Sequence, residues 1–164
     1  MNYASCRYPP LRVIRDECQR ARVATPGRRI LDETVCECHA KESTFWLLSE
    51  DGEEMDGTLN RGLAPHILET ISVPVANSVV GMVASNGLAV SIGPDDFHND
   101  AVDKLTQVRT QAMIAAPVHV GGKLLGVISA VNPVQGGLFS PRDLEALSWK
   151  AYLLGLVLDD AFRQ

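Results

Sequence analysis

Ala112-Met113-Ile114-Ala115-Ala116-Pro117-Val118-His119-Val120-Gly121-Gly122-Lys123-Leu124-Leu125-Gly126-Val127-Ile128-Ser129-Ala130-Val131 decides the architecture of this chain. Two apolar runs, 112–120 and 123–131, meet at a pair of glycines that accept the left-handed backbone of a two-residue hairpin turn. The runs are therefore expected to be adjacent antiparallel strands. Nearly every position in both is apolar, which demands a sheet covered on each face. His119, alone among apolar neighbours, reads as a hydrogen-bonded core histidine rather than a metal ligand.

Downstream, Ser140-Pro141-Arg142-Asp143 opens a helix, with Ser as N-cap, Pro in the first turn and an acid at the third position. Leu144, Leu147, Ala151, Leu154, Leu158 and Ala161 alternate at spacings of three and four, and Leu153, Leu156 and Val157 widen the apolar face beyond one seam. A helix apolar over so much of its circumference needs two partners. The sheet is one, and a second copy across a two-fold axis is the economical other. Gly155 inside this helix costs about 1 kcal/mol against Ala and points to a close backbone approach.

Upstream, residues 11–25 are expected to form a helix on Leu11, Ile14, Cys18 and Ala21, interrupted by Thr25-Pro26-Gly27. A second helix, about 28–41, places Leu31, Val35 and Cys38 on one face. Residues 43–49 read as a strand, Glu50-Asp51-Gly52-Glu53 as a tight turn, and about 54–60 as the partner strand. Ile71-Ser72-Val73-Pro74 is a short strand. A short helix from Asn77 or Ser78 to Ser85 stops at Asn86-Gly87, a pair that tolerates the left-handed C-cap. Residues 88–92 form another strand, and a polar loop runs from Gly93 to about Asp103. The fold class is α+β: a central antiparallel sheet of about six strands, the N- and C-terminal helices together on one face, and short helices and loops forming a lid on the other. Residues 1–27 read as a basic helical arm suited to dimerisation, and 28–164 as the domain proper.

A chain of 164 residues with 46% hydrophobic and 21% charged residues suits one folded domain and argues against disorder. No run is long and apolar enough for a membrane span and no signal-peptide core is present, so a cytoplasmic protein with no membrane partner is expected. The net charge of −5 argues against nucleic acid as a partner. Charge is unevenly spread, however: residues 1–29 carry seven arginines against Asp16 and Glu17, and the remainder 8 basic against 18 acidic groups. The arm is read as a solvated helix face that meets acidic surface within its own oligomer. All four cysteines (Cys6, Cys18, Cys36, Cys38) lie in the first 38 residues and are expected to stay thiols. On a helix, Cys36 and Cys38 point to divergent faces and cannot comfortably grip one metal ion, so Cys38 is expected as a small buried hydrophobe.

Three stretches in order resemble the GAF family of small-molecule sensor domains. They are Val80-Gly81-Met82-Val83-Ala84-Ser85-Asn86-Gly87-Leu88-Ala89-Val90-Ser91-Ile92, then Ala116-Pro117-Val118 with Gly121-Gly122-Lys123-Leu124-Leu125-Gly126-Val127-Ile128, then Leu138-Phe139-Ser140-Pro141-Arg142-Asp143-Leu144. The resemblance covers about residues 28–162. Phe97 and Val102–Thr110 resemble the segment before the hairpin in the cyclic-nucleotide-binding domains of phosphodiesterases. Of the dispersed Asn-Lys-Phe-Asp-Glu signature of those domains, Asn132, Phe139 and Asp143 are matched. Pro133 and Leu144 stand where Lys and Glu would be, and Gln107 replaces a Gly, so the ion pair that closes the family's pocket is lost. Ordinary structural roles also suit the three matches: Asp143 at a helix N-terminus, Phe139 as an anchor before it, and Asn132 satisfying backbone at a strand end.

The resemblance implies a ligand held between one sheet face and a lid of about residues 76–110. The candidate ligand-binding residues are Trp46, Asn77, Ser78, Ser91, Asp95, Phe97, His98, Asn99, Arg109, Thr110 and Met113. The helix opening at Asn77-Ser78 offers amides to a phosphate or carboxylate unless Ser78 or Asn77 caps it. Asp95-Asp96-Phe97-His98-Asn99-Asp100 sets polar groups beside an aromatic ring, or is a solvated loop with Asn99 or Asp100 capping the next element. No phosphate loop, nucleophile elbow or paired-histidine motif is present, and no cofactor or metal is called for. The reading is a non-catalytic sensory domain, dimeric through its terminal helices, whose partner is a small molecule such as a nucleotide or small anion. The alternatives are a dimerisation scaffold with a vestigial pocket and, less favoured, a free methionine sulfoxide reductase. The family's reductases and bilin-binding members use a cysteine in the lid, whereas this chain has none after Cys38.

Overall fold

Alternation along the hairpin sorts its side chains to two sides. In the computed structural model, which describes residues 17–163 and side chains from residue 21, the hairpin strands are β5 (Met113–Val120) and β6 (Lys123–Pro133). Ile114, Ala116 and Val118 of β5, with Ile128 and Ala130 of β6, enter one apolar core, while Met113, Ala115 and Val127 enter another. The other elements, in chain order, are α1 (Glu17–Glu37), β1 (Ala40–Leu48), β2 (Glu54–Arg61), α2 (Pro65–Leu68), β3 (Ser72–Pro74), a 3-10 turn (Val75–Asn77), α3 (Val79–Asn86), β4 (Val90–Ile92) and α4 (Ala101–Thr106). After the hairpin comes α5 (Pro141–Arg163). The sheet order is β3-β2-β1-β6-β5-β4, and every pairing is antiparallel. Helices α1 and α5 pack on one face around Leu31, Phe45, Leu147 and Leu154; α2, α3 and α4 lie over the other.

Helix α5 starts as its sequence dictates. Ser140 N–H and Oγ donate to Asp143 Oδ2, both at 2.7 Å, and Asp143 N–H donates back to Ser140 Oγ at 3.2 Å. This reciprocal cap satisfies amides that the helix cannot. Phe139 is buried just before it. Gly155 meets the sheet: a β-carbon there would lie 2.2 Å from the His119 carbonyl oxygen.

Three expectations are corrected. No break occurs at Thr25-Pro26-Gly27, since α1 runs through both Pro26 and Gly27. Pro26 sits on a half-exposed face where water can serve the carbonyl its missing N–H leaves, and Gly27 faces inward, with Leu59 Cδ1 2.6 Å from where a β-carbon would stand. Packing overrides local preference here. The helix also ends at Glu37 rather than 41, because His39 adopts a left-handed backbone (φ 49°) and turns the chain into β1. His119 is exposed rather than in the core: it shares the parity of Met113 and Ala115 but lies beyond the lid. The seam positions Leu11 and Ile14, and the side chain of Cys18, fall outside the described residues.

Cys38 follows α1 and is buried against α5, with Sγ 3.6 Å from the Asp143 carbonyl. Burial, with Asp143 and Glu37 nearby, pushes its thiol up to about 12, so it packs as a neutral hydrophobe. Beside it, the buried Lys150 ties the two long helices together by donating to Glu33 Oε2 and Glu37 Oε1, both at 2.9 Å. Burial works against the ammonium, but the bonds to Glu37 and Glu33 outweigh it and raise its pKa. Glu33 is held below its ordinary value by the bond from Lys150. Its share of stability is therefore present above the ordinary value of 4.5 and is lost as pH falls through the lowered one. Replacing Glu33 and Glu37 together by Gln strands the ammonium and should cost about 2 kcal/mol at neutral pH. Lys150→Met removes the charge itself and should cost less than half as much. Urea denaturation of both variants at neutral and acid pH checks this.

Candidate functional site

On the face away from α1 and α5, β1 presents Glu42, Thr44 and Trp46 at alternate positions. In register beside them stand Val131 opposite Glu42 and Ser129 opposite Thr44, with Met113 of β5 next to Val131. These residues form the floor of a cavity of about 90 Å³. Val79 and Val80 of α3, Leu68 of α2 and Val102 of α4 form much of its roof. The lid sits close because β2 carries glycine beneath α2: a β-carbon on Gly57 would fall 1.7 Å from the Leu68 carbonyl oxygen.

The floor is ordered by hydrogen bonds. Trp46 Nε1 donates to Ser129 Oγ at 3.0 Å, and Asn60 Nδ2 donates to Thr44 Oγ1 at 2.8 Å. Asp103 anchors the lid: its Oδ1 accepts from Thr110 Oγ1 at 2.7 Å, and its Oδ2 accepts from Thr110 N–H at 2.8 Å and meets His98 Nε2 at 3.2 Å. Asn99 Nδ2 donates to the Asn77 carbonyl at 2.8 Å, joining the approach to α4 with the approach to α3. Asn132, left-handed at φ 55°, accepts from Gln111 and Ala112 N–H and donates to the Arg109 carbonyl. It thus pins the strand that leads into Met113.

Of the residues singled out from sequence, Trp46, Ser78, His98, Asn99, Thr110 and Met113 line the cavity. Asn77, Ser91, Asp95, Phe97 and Arg109 do not belong to its wall; Phe97 is 71% exposed. The loop from Asp95 behaves largely as a solvated connector, in which Asn99 Oδ1 caps α4 by accepting from Ala101 N–H. One amide of α3 is served from within, since Ser78 Oγ accepts from Gly81 N–H at 3.0 Å.

Sequence reasoning passes over Glu42, Thr44, Asp103 and Ser129. A helix expected to run to about residue 41 hides Glu42, and only the early start of β1 turns it inward. Burial pushes the Glu42 carboxyl above its ordinary range; the amide of Asn60 opposes this and Asp103 adds to it. Among the described residues, no group of three or more His, Cys, Asp and Glu side chains could hold a metal ion, and no helix is long and apolar enough to cross a membrane.

Comparison with known proteins agrees with this layout. Residues 27–158 match the family model of the GAF domain. The rod cGMP-specific 3',5'-cyclic phosphodiesterase subunit alpha of Homo sapiens is 33% identical over 82 residues, which is 48% of this chain and 10% of that protein. The dual 3',5'-cyclic-AMP and -GMP phosphodiesterase 11 of Drosophila melanogaster is 24% identical over 168 residues, 91% of this chain and 11% of that protein. The chain thus spans about a tenth of the length of these curated relatives. Among solved structures, the second GAF domain of DevS from Mycobacterium smegmatis is similar with a TM-score of 0.69 at 17% identity, covering 85% of this chain and 94% of that one. The free methionine-R-sulfoxide reductase from Neisseria meningitidis, in complex with its substrate, gives 0.66 at 22% identity, covering 93% and 84%. These structural likenesses speak for the fold alone. With the six-stranded order, the paired helices on one face and a family match over most of its length, the chain belongs to the GAF domain family.

Proposed function

We propose that this chain is a non-catalytic sensory domain that encloses a small molecule under its lid and passes the event to α1 and α5. The observation that carries this reading is the cavity itself, set between a hydrogen-bonded sheet floor and a lid of short helices tied by single side chains. Asp103 holds α4 to the segment leading into β5, and Asn99 holds it to the lead-in of α3. A guest that contacts both floor and lid favours the closed arrangement over an open one. The floor strand β1 carries Trp46 on the cavity side and Phe45 on the helix side, so a shift of one face is felt by the other.

Output through a second copy is supported by α5. Trp149 and Tyr152 stack at 5.3 Å and, with Leu156, form an exposed stripe along its outer side. The basic segment at residues 1–29 and the acidic remainder of the chain complement each other in charge between two copies. A reductase role is less well supported. Of the cysteines among the described residues, Cys36 is exposed and Cys38 lies in the core on the helix side of the sheet.

The test is thermal melting of the full chain against nucleotides, 2-oxo acids, oxyanions and small organic ions. A genuine guest at a hundredfold excess over its Kd should add about 2.7 kcal/mol, or roughly 6–10 °C. Leu156→Glu should yield monomers in sedimentation without lowering the melt. Flat melts throughout, with the oligomer intact, would leave a scaffold instead.

A further inference from the structure

We propose that the guest is a compact organic cation, an amidinium, guanidinium or small ammonium group, received by Glu42 against the indole wall of Trp46. The inference rests on the cavity being the sensory site described above and adds the chemistry it selects. Size speaks first. About 90 Å³ holds roughly four non-hydrogen atoms, given that a cavity of about 150 Å³ takes a benzene ring.

Charge speaks second. The charged or titratable residues of the cavity wall are Glu42, Asp103, His98 and Lys41. Lys41 has the opposite parity to Glu42 on β1 and is exposed. His98 is engaged by Asp103, and both oxygens of Asp103 are already occupied by Thr110 and His98. Among the described residues no buried fixed cation faces the space, and Ser78 Oγ takes the Gly81 amide at the start of α3. An anion would meet the Glu42 carboxylate, with the exposed Lys41 as the one lysine or arginine of the wall among the described residues.

Glu42, by contrast, is a partly buried carboxyl on the cavity wall whose charged form is penalised by its surroundings. A cationic guest removes that penalty, because paired charges tolerate burial and isolated ones do not. Trp46 adds an aromatic ring to the same wall, and aromatic rings attract desolvated cations.

Acetamidinium, acetamide and acetate share one shape and differ in charge, so they isolate this claim. The full chain is titrated with each at constant ionic strength, following the indole N–H resonance of Trp46 and the melting temperature. Acetamidinium should shift both saturably, acetamide weakly and acetate not at all, and Glu42→Gln should weaken acetamidinium at least tenfold. The Gln variant should melt no lower than the parent, because it removes a penalised charge. Should it fail to fold, the three probes on the parent chain still decide. Acetate binding as well as acetamidinium, or acetamidinium binding unchanged in Glu42→Gln, overturns the assignment. A nucleotide or 2-oxo acid that moves the Trp46 resonance while acetamidinium does not would overturn the cation assignment and leave the sensory reading standing. No response to any compound would overturn both.

Discussion

Gly155→Ala should lower stability by about 2–3 kcal/mol, although helix propensity alone says it should gain about 1 kcal/mol. The sign turns on a single distance. The added methyl would sit 2.2 Å from the carbonyl oxygen of His119, and backbone cannot rotate away as a side-chain tip can. Either α5 lifts from β5, opening contacts around Leu154 and Leu158, or the strand bends at the register shift between Val118 and His119. Urea unfolding should show the midpoint falling by about 1–2 M with the slope preserved. A variant as stable as the parent would mean that the helix rides higher on the sheet.

Trp46→Ala carries the largest effect expected of a single floor residue, a loss of about 4 kcal/mol. The indole is buried at the centre of the lid-side core, and its Nε1 donates to Ser129 Oγ. Trp46→Phe keeps most of the apolar area, loses the hydrogen bond and should cost about 1–2 kcal/mol. Ser129→Ala breaks the same bond from the other end. If the two groups act as a pair, the double variant Trp46→Phe/Ser129→Ala should fall short of the sum of the singles by about 1 kcal/mol. Chemical denaturation of the four proteins measures this. Strict additivity would mean that the bond contributes nothing and the ring acts by bulk alone.

Where local chemistry decides, the chain is legible. The glycine pair makes the hairpin turn, Ser140 and Asp143 make the cap, and Gly87 ends α3 in the left-handed backbone, each within a few residues of the signal. Pro26 misleads because its local cost is met elsewhere, by packing of Val23, Gly27 and Ile30 against the sheet. Helix α2 escapes reading because four residues give no periodicity to detect. The same logic divides the site. Trp46 and Met113 stand out as apolar residues on strands that must be covered. Glu42 and Asp103 look like ordinary surface acids until β1 begins at Ala40 and α4 folds over it. Alternation along β1 contains the information, but only once its first residue is known.

The sheet order sets how such a chain must be made. Its two middle strands, β1 and β6, come from opposite parts of the sequence, and the bond between Trp46 and Ser129 joins residues 83 positions apart. On a ribosome, β1 and β2 emerge long before any neighbour for their inner side exists. The nascent chain therefore waits, with one edge of β1 unpaired, until residues 123–133 have been synthesised. Closure of so distant a pair makes folding slower than that of a helical bundle of the same size.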